Sequence, residues 1–448
     1  MAEAGDPSSG PLTPKGRATR DRILASTAEV ILSDGLIGLS LDKVRLRAGV
    51  SGSQLTHYFD DRPSLVRAVL ARQIDLAMAI HQEPNVGNLD TWADWENWIE
   101  VNLSHLRRFG YSGRPTYHGL AGQLVKADPS TRDAVAWGYL RWIEMFDDRL
   151  SRMKSRGALV LSADPRLLAM VVVGGHHGGC LMSFAYRQAW PLAHAMRFIV
   201  NYVRSFATDP QERSPRPAVW PVGPPPSAAP QAWVPGGVKS SLTAKGRATR
   251  DRIVGDAADL MLRHGVRNTS IDDVRRTAGV SGSQVSHYFD DKTDLIRQVI
   301  AARFLEVDER LQHPRLAGLG SISALRRWVS DCQGEVGRVY LPTGCPYGSL
   351  VAELVESEDE VVDQLAAGYD RWLLRFRQGL TTMQVAGELS QGADADHLSA
   401  SLLAGHQGGT MLTHAIGSPE PCSALLNGAV DYVASFATTP PTRQDQGA

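Results

Sequence analysis

Cysteine is scarce in this chain of 448 residues: Cys180, Cys332, Cys345 and Cys422 lie far apart, with no CxxC pair. That fits reduced thiols in a cytosol better than a disulfide framework or a zinc site. Lysine is scarce as well, 7 of 47 basic residues; with abundant Ala, Gly and Pro this suggests a GC-rich bacterial genome. No apolar run approaches the ~18–20 residues of a membrane span. The stretch LLAMVVVGG is too short and reads as a buried helix segment. The start, MAEAGDPSSGPLTPKG, lacks the apolar core of a signal peptide. A cytoplasmic location with no membrane partner is therefore expected. Alternating, β-branched strand patterns are also missing, and with them any strand-then-Gly-loop for phosphates. No Ser/His/Asp set has suggestive spacing, so neither an enzyme nor a cofactor is expected. The fold class is all-α.

Net charge is nearly absent too, −1 overall, yet the sum hides a segregation. Residues 15–72 hold 10 Lys/Arg against 6 Asp/Glu, and residues 245–303 hold 11 against 8. Locally basic segments on a neutral chain are compatible with DNA phosphates.

Those two segments are copies of each other. AGVSGSQLTHYFDD begins at Ala48 and AGVSGSQVSHYFDD at Ala278. At a constant offset of 230, residues 15–72 match residues 245–302 at 32 of 58 positions. The register persists further on, from Trp98 with Trp328 and Tyr117 with Tyr347 to GGHHGG (174–179) with AGHQGG (404–409). The chain is thus a tandem duplication of one long unit, not an array of short repeats. The expected divisions are a disordered tail 1–14, a head 15–72, a helical body 73–208, a Pro-rich linker 209–241, a second head 242–302, a second body 303–438 and a disordered tail 439–448. The linker reads as extended, with no fold of its own.

Within each head the periodicity is helical. A first helix over about 15–34 ends at Gly35. Ser40 caps a short second helix that stops at Gly49, and Ser270-x-x-Asp273 starts its counterpart. Ser51-Gly-Ser-Gln54 opens a very short third helix with capping-box spacing, and Arg62-Pro63 begins a fourth. Two short helices joined by a tight Gly-containing turn describe a helix-turn-helix. In such a unit the second helix enters the major groove and short polar side chains reach base edges. The candidate reading surface is Ser53, Gln54, Thr56 and His57, repeated as Ser283, Gln284, Ser286 and His287; Gln can bond adenine bidentately. Lys15, Arg17, Arg20, Ser40, Tyr58 and Arg62 are candidate phosphate contacts, with Lys245, Arg247, Arg250, Ser270, Tyr288 and Lys292 in copy two. Gln54 could instead be occupied by its capping box, and His57 and Tyr58 could simply pack.

The order S-[LI]-D-x-V-x-x-x-A-G-V-S-x-x-x-[LV]-x-H-Y-F-x-[DN]-[RK]-x-x-L after a helical leader resembles the DNA-binding head of the TetR family of bacterial transcription regulators. GCPYGSL (344–350) and AGHQGGTML (404–412) are similar to body segments of that family. The resemblance implies a nine-helix unit, a small-molecule pocket in the body, and dimerisation through the last two helices. It also implies a double-stranded DNA operator and a small-molecule effector, and mostly repression. The chain departs from the family pattern at Thr56 and Ser286, where Tyr is frequent, and at Gly52 and Gly282, where Lys is frequent.

A dimeric helix-turn-helix protein reads two half-sites with two heads, and two copies in one chain could supply both as a covalent pseudo-dimer. Pairing each copy with a second chain, giving a four-headed homodimer, is the alternative, as is a ligand- or partner-binding protein with little DNA binding. Tyr117 and Trp142, with Tyr347 and Trp372, are the candidate pocket residues. His176-His177 suggests a metal, but adjacent helical residues diverge by about 100° and a two-His helical site wants i, i+4 spacing. Copy two has His406 and Gln407 there. No metal is expected; the glycines should let two helices approach closely at a dimer-like interface, with histidines as a polar seam.

Overall fold

The computed structural model describes residues 12–84, 86–108, 110–111, 116–217 and 242–438. Copy one forms α1 (Pro14–Gly38), α2 (Leu41–Ala48), α3 (Gly52–Tyr58), α4 (Arg62–Ile80), α5 (Trp92–Arg108), α6 (Tyr117–Leu124), α7 (Pro129–Ser155), α8 (Pro165–Tyr186) and α9 (Trp190–Arg204). Copy two forms α10 (Ala244–His264), α11 (Ile271–Thr277), α12 (Gly282–Tyr288), α13 (Lys292–Leu311), α14 (Ile322–Gly334), α15 (Leu341–Thr343), α16 (Pro346–Leu354), α17 (Asp359–Val385), α18 (Ala395–Ile416) and α19 (Glu420–Ala434). Among the described residues the only extended pairings are two isolated bridges, Leu159 with Ala207 and Leu389 with Ala437. They are related by the repeat, and each ties the end of a copy's last helix to the loop before the helix preceding it.

Local chemistry starts most of these helices where the sequence places a cap. Thr13 and Thr243 accept the Gly16 and Gly246 N–H groups, and Pro14 occupies the first turn of α1, where a missing N–H costs nothing. Asp61, Asp128, Asp164 and Asp394 cap α4, α7, α8 and α18 in the same way. Gly49 (φ 61°) ends α2 in the left-handed region that L side chains avoid, turning the chain toward α3. The first helix resumes beyond Gly35 and runs to Gly38, but Gly35 itself is non-helical and kinks it there.

The bodies pack on each other through α8, α9, α18 and α19, a four-helix arrangement with two helices from each copy. At its centre α8 and α18 cross with backbones touching: a Cβ on Gly178 would overlap the Ala404 carbonyl, and one on Gly408 would overlap the Gly174 carbonyl. The glycines lower helix propensity, and the crossing they permit compensates. A polar seam does exist between the copies, but His176 and His177 are not in it; it consists of His194 Nδ1 3.0 Å from His397 Nδ1, His397 Nε2 2.9 Å from the Tyr432 hydroxyl, and Asn201 Nδ2 donating to that hydroxyl at 2.9 Å. Helix α8 is the one helix among the described residues long and apolar enough to cross a membrane, and 94% of its most apolar window is buried inside the fold. Its hydrophobicity belongs to this core.

The stretch expected to lack structure after the first body is ordered at its start. Pro210–Arg213 make a 3₁₀ turn capped by Asp209, and Asn201 binds the backbone of Arg216 on both sides, accepting its N–H at 3.1 Å and donating to its carbonyl at 2.9 Å. Glu212 and Glu96 hold the fully buried Arg204, which explains why this segment is retained against α9. The rest of the linker, 218–241, and most of both tails lie outside the described residues; α1 begins at Pro14, inside the expected tail.

Gly408→Ala should destabilise the fold by about 1–3 kcal/mol through overpacking at the crossing. Gly255→Ala, in α10 with open space around the added methyl, should stabilise it by about 0.5–1 kcal/mol. Urea unfolding of the two variants should therefore shift in opposite directions; an unchanged midpoint for Gly408→Ala would contradict the crossing geometry.

Candidate nucleic-acid interface and body cavity

The two short third helices are held by closed capping boxes. Ser51 Oγ accepts the Gln54 N–H at 3.1 Å while Gln54 Oε1 accepts the Ser51 N–H at 2.9 Å. Ser281 and Gln284 repeat this at 3.2 and 2.8 Å. One apolar residue, Leu55 or Val285, anchors each helix in its head's core, leaving Ser53, Gln54, Thr56 and His57, and Ser283, Gln284, Ser286 and His287, exposed on one surface. The boxes commit one lone pair of each Gln Oε1 to the backbone, leaving the second lone pair and the Nε2 donors. Thr56 and Ser286 return their hydroxyl protons to the Gly52 and Gly282 carbonyls, which leaves their oxygens as acceptors.

The candidate phosphate contacts separate into groups. Lys15, Arg17, Lys245 and Arg247 are exposed at the starts of α1 and α10, and Ser40 and Ser270 are exposed caps of α2 and α11. Arg20 lies half-buried over the Phe59 ring, and Arg250 bonds Gln298 and Asp251. Tyr58 and Tyr288 are half-buried, each edge-on to the preceding histidine. Arg62 is half-buried with its Nε unpartnered. Lys292 sits apart from the exposed set: it is half-buried, and burial, with the Arg267 charge beside it, lowers its pKa, while Glu353 and Asp273 oppose that shift.

That neighbourhood joins the bodies to the heads, and no pattern in the sequence announces it. Glu353 on α16 accepts Lys126 Nζ of copy one at 2.7 Å through Oε1, and the Val266 N–H of head two at 2.6 Å through Oε2. Both charged side chains are almost fully buried, 5% and 6% exposed. Next to it Arg267 donates to the Ser33 carbonyl of head one. A single buried carboxylate thus links copy one's body, copy two's body and head two, and the adjacent residue reaches head one. Register hides it, because the positions 230 residues away are Gln123, Glu356 and Leu36, not a second ion pair.

Copy one's body encloses a cavity of about 190 Å³ lined from α4 by Gln73, Leu76, Ala77 and Ile80, and beyond it by Tyr117, Trp142, Phe184 and a group of histidines. Tyr117 and Trp142, both expected there, are both present. The Tyr117 hydroxyl is turned away, donating to the Val135 carbonyl, and burial raises its pKa; it shapes the wall and offers no hydrogen bond. Trp142 Nε1 is buried with no partner. Trp98 Nε1 donates to His81 Nδ1 at 2.8 Å, so the proton of neutral His81 is on Nε2, which also has no partner. Two unsatisfied buried donors border this cavity, a costly arrangement for an empty core. In copy two Tyr347 and Trp372 occupy the same buried positions, Tyr347 donating to the Leu365 carbonyl at 2.8 Å and Trp372 edge-on to His406. Leu311 stands there in place of His81.

His176 and His177 face this interior and not the other copy. His176 Nε2 lies 2.9 Å from Asn102 Oδ1, His118 Nε2 is 3.1 Å from His176 Nδ1, and His177 Nδ1 is 2.9 Å from His118 Nδ1 and 3.1 Å from the Tyr139 hydroxyl. Burial lowers the pKa of His176 and His177 to about 3 and pushes His118 well below its usual range, so all three are neutral. Cys180, buried one turn beyond His176, has its thiol pKa raised by burial and is protonated. The i, i+4 spacing that excludes the adjacent His pair is satisfied by His176 and Cys180, a signal that is present in the sequence.

Residues 253–299 match the family profile described as bacterial regulatory proteins, tetR family, and residues 321–428 match the tetracyclin repressor-like C-terminal domain. Copy two thus carries both domains of the TetR family. Similar proteins include the HTH-type transcriptional regulator SrpR of Pseudomonas putida, 24% identical over 153 residues, 34% of this chain and 68% of SrpR. The transcriptional regulator AcuR of Cereibacter sphaeroides is 25% identical over 158 residues, 35% of this chain and 72% of AcuR. Among solved structures, a TetR transcriptional regulator from Chloroflexus aurantiacus aligns at 22% identity over 44% of this chain and 98% of its own, with a TM-score of 0.39. Both TetR profiles fall on copy two; copy one resembles it through the internal repeat.

Lys126→Met leaves the Glu353 carboxylate buried without its cation and should cost about 3–5 kcal/mol in denaturant unfolding. Lys126→Met with Glu353→Gln keeps an acceptor for Val266 and removes the charge, and should recover most of that loss. Equal stability of single and double variants would mean the pair is not buried as described.

Proposed function

We propose that this chain is a ligand-responsive, sequence-specific DNA-binding transcriptional regulator, a cytoplasmic repressor that reads a near-palindromic operator with two heads from one chain. The observation that carries the reading is the pair of third helices, GSQLTHY and GSQVSHY, each closed by the same capping box and each presenting the same polar face. Nearly identical reading surfaces suit two half-sites of nearly identical sequence. Exposed Lys15, Arg17, Lys245 and Arg247 at the starts of α1 and α10 supply phosphate contacts that orient the heads without specifying sequence. Packing of the bodies through the glycine crossing supports intramolecular pairing, and a tether raises the effective concentration of the second head.

The cavity supports the response to a ligand. It is close in volume to cavities that hold a benzene-sized molecule, about 150 Å³, and below the ~300–1,000 Å³ of drug-sized pockets. A small, mostly apolar molecule with one or two acceptor atoms would satisfy His81 Nε2 and Trp142 Nε1. One wall is α4, the helix that continues from head one. A ligand that fits better with α4 displaced would shift the population toward heads that no longer match the operator spacing.

Gln54→Ala with Gln284→Ala should reduce specific operator binding by about tenfold or more per head, at about 1–3 kcal/mol per lost base contact, while leaving the salt-dependent binding to random DNA largely unchanged. Gel shifts on operator and random fragments separate these, and equal losses on both would count against base reading. Light scattering at micromolar concentration should give a mass near the 48.7 kDa of one chain; a mass near twice that would replace the one-chain reading with a four-headed dimer.

A further inference from the structure

The floor of copy one's cavity brings together three side chains with the chemistry of metal ligands. His118 comes from α6, and His176 and Cys180 lie one turn apart on α8; all three are buried, and one ligand atom from each lies within 4.8 Å of the others. We propose that His118 Nε2, His176 Nδ1 and Cys180 Sγ form a three-ligand site for a zinc-class divalent transition cation, with the fourth position open to the cavity.

The spacing is close to what such an ion requires. Bonds of about 2.0–2.1 Å to nitrogen and about 2.3 Å to sulfur in a tetrahedron place neighbouring ligand atoms about 3.3–3.6 Å apart. His118 Nε2 and His176 Nδ1 are 3.1 Å apart, and Cys180 Sγ is 3.8 Å from His176 Nδ1. The three ligand atoms lie within 4.8 Å of one another, so completing the shell draws His118 and Cys180 together by up to about 1.3 Å, a side-chain movement.

The surrounding hydrogen bonds prepare the lone pairs. Asn102 Nδ2 donates to the Trp98 carbonyl at 2.7 Å, so its Oδ1 is an acceptor and the His176 proton is on Nε2, 2.9 Å away. His176 Nδ1 is therefore a lone pair facing His118 and Cys180. An outer partner that fixes a histidine tautomer and ring plane is the usual support for a metal-bound imidazole. His118 has the matching option: with its proton on Nδ1, donated to His177 Nδ1 at 2.9 Å, its Nε2 is free to bind. On binding, the cation replaces the Cys180 thiol proton, which leaves to solvent; His118 moves its own proton from Nε2 to Nδ1, and His177 moves its proton from Nδ1 to Nε2 so that its Nδ1 accepts. No oxidation state changes. The open fourth position takes water or a donor atom of a molecule in the cavity.

Copy two is a built-in contrast. At the equivalent positions it has Gly348, His406 and Thr410, and the Thr410 hydroxyl donates to the His406 carbonyl. One ligand of three remains, so the stoichiometry should be one ion per chain, not two. The site shares the cavity proposed for the effector, but it is read without DNA, so its failure would leave the operator reading untouched.

The test uses the tag-free full-length chain, reduced and stripped of metal, titrated with Co²⁺ and then Zn²⁺. The expected result is one Co²⁺ per chain with intense visible bands of tetrahedral geometry and a near-ultraviolet sulfur-to-cobalt charge-transfer band, all abolished by Zn²⁺. Cys180→Ser should remove the charge-transfer band and weaken binding at least about tenfold, while Cys332→Ser in copy two should change neither. Should Cys180→Ser or His118→Gly fail to fold, zinc-edge X-ray absorption of the wild-type protein should still show two histidine nitrogens and one sulfur. Absence of stoichiometric binding, a coordination shell without sulfur, or a charge-transfer band that survives in folded Cys180→Ser would overturn the proposal.

Discussion

Most of this structure depends on the backbone-to-backbone approach of α8 and α18. Gly174 and Gly178 on one helix meet Ala404 and Gly408 on the other at distances that leave no room for a Cβ. Because that crossing is so close, α9 and α19 can close around it, and the seam of His194, His397, Asn201 and Tyr432 reaches hydrogen-bonding distance. The same approach brings α6 beside α16, where Lys126 meets Glu353. Covering a polar seam and a buried ion pair with apolar surface is costly, and the fold accepts that cost where the two copies must adopt one arrangement.

The consequence is a connected path between regions with different chemistry. The cavity lies against α4, which carries head one; the Glu353 carboxylate ties copy one's body to head two, and Arg267 ties head two back to head one. These contacts connect the cavity wall on α4, through the bodies, to elements of both heads. The two copies contribute unequally. Copy one has His81, His118 and Cys180 around its cavity where copy two has Leu311, Gly348 and Thr410. Duplication kept the reading helices nearly identical while the body interiors diverged, as expected if both half-sites must be read alike but a single ligand site suffices.

How much can be read from the residues varies with the range of the interactions. The heads are legible because they are built from contacts three or four residues apart: caps, capping boxes, Gly49 at the turn. The GGHHGG stretch also reveals a close helix crossing, since four glycines lower helix propensity and close packing restores what they cost. The histidines inside it do not join that crossing, contrary to the expectation of a seam. Their direction depends on where α6 and Asn102 lie, 58 and 74 residues from His176, and no periodicity in α8 specifies that. Lys292 stands at a helix start, which suggests a phosphate contact, whereas the packing of Arg267 and Glu353 around it decides its surroundings. The start of the linker reads as extended because proline dominates it, and the buried Arg204 that holds it is not visible locally.

The sequence alone determined the all-helical class, the duplication at a 230-residue offset, the two helix-turn-helix heads and the residues exposed on them. These follow from short-range hydrogen bonding and helical periodicity, which act within a few residues. Tertiary structure decided what the histidines face, that His118 joins His176 and Cys180, that one carboxylate links three parts of the molecule, and that copy one holds a cavity bordered by histidines. Those are meetings of side chains far apart in the chain, set by how helices of particular lengths and crossing distances pack, and only the packed fold specifies them.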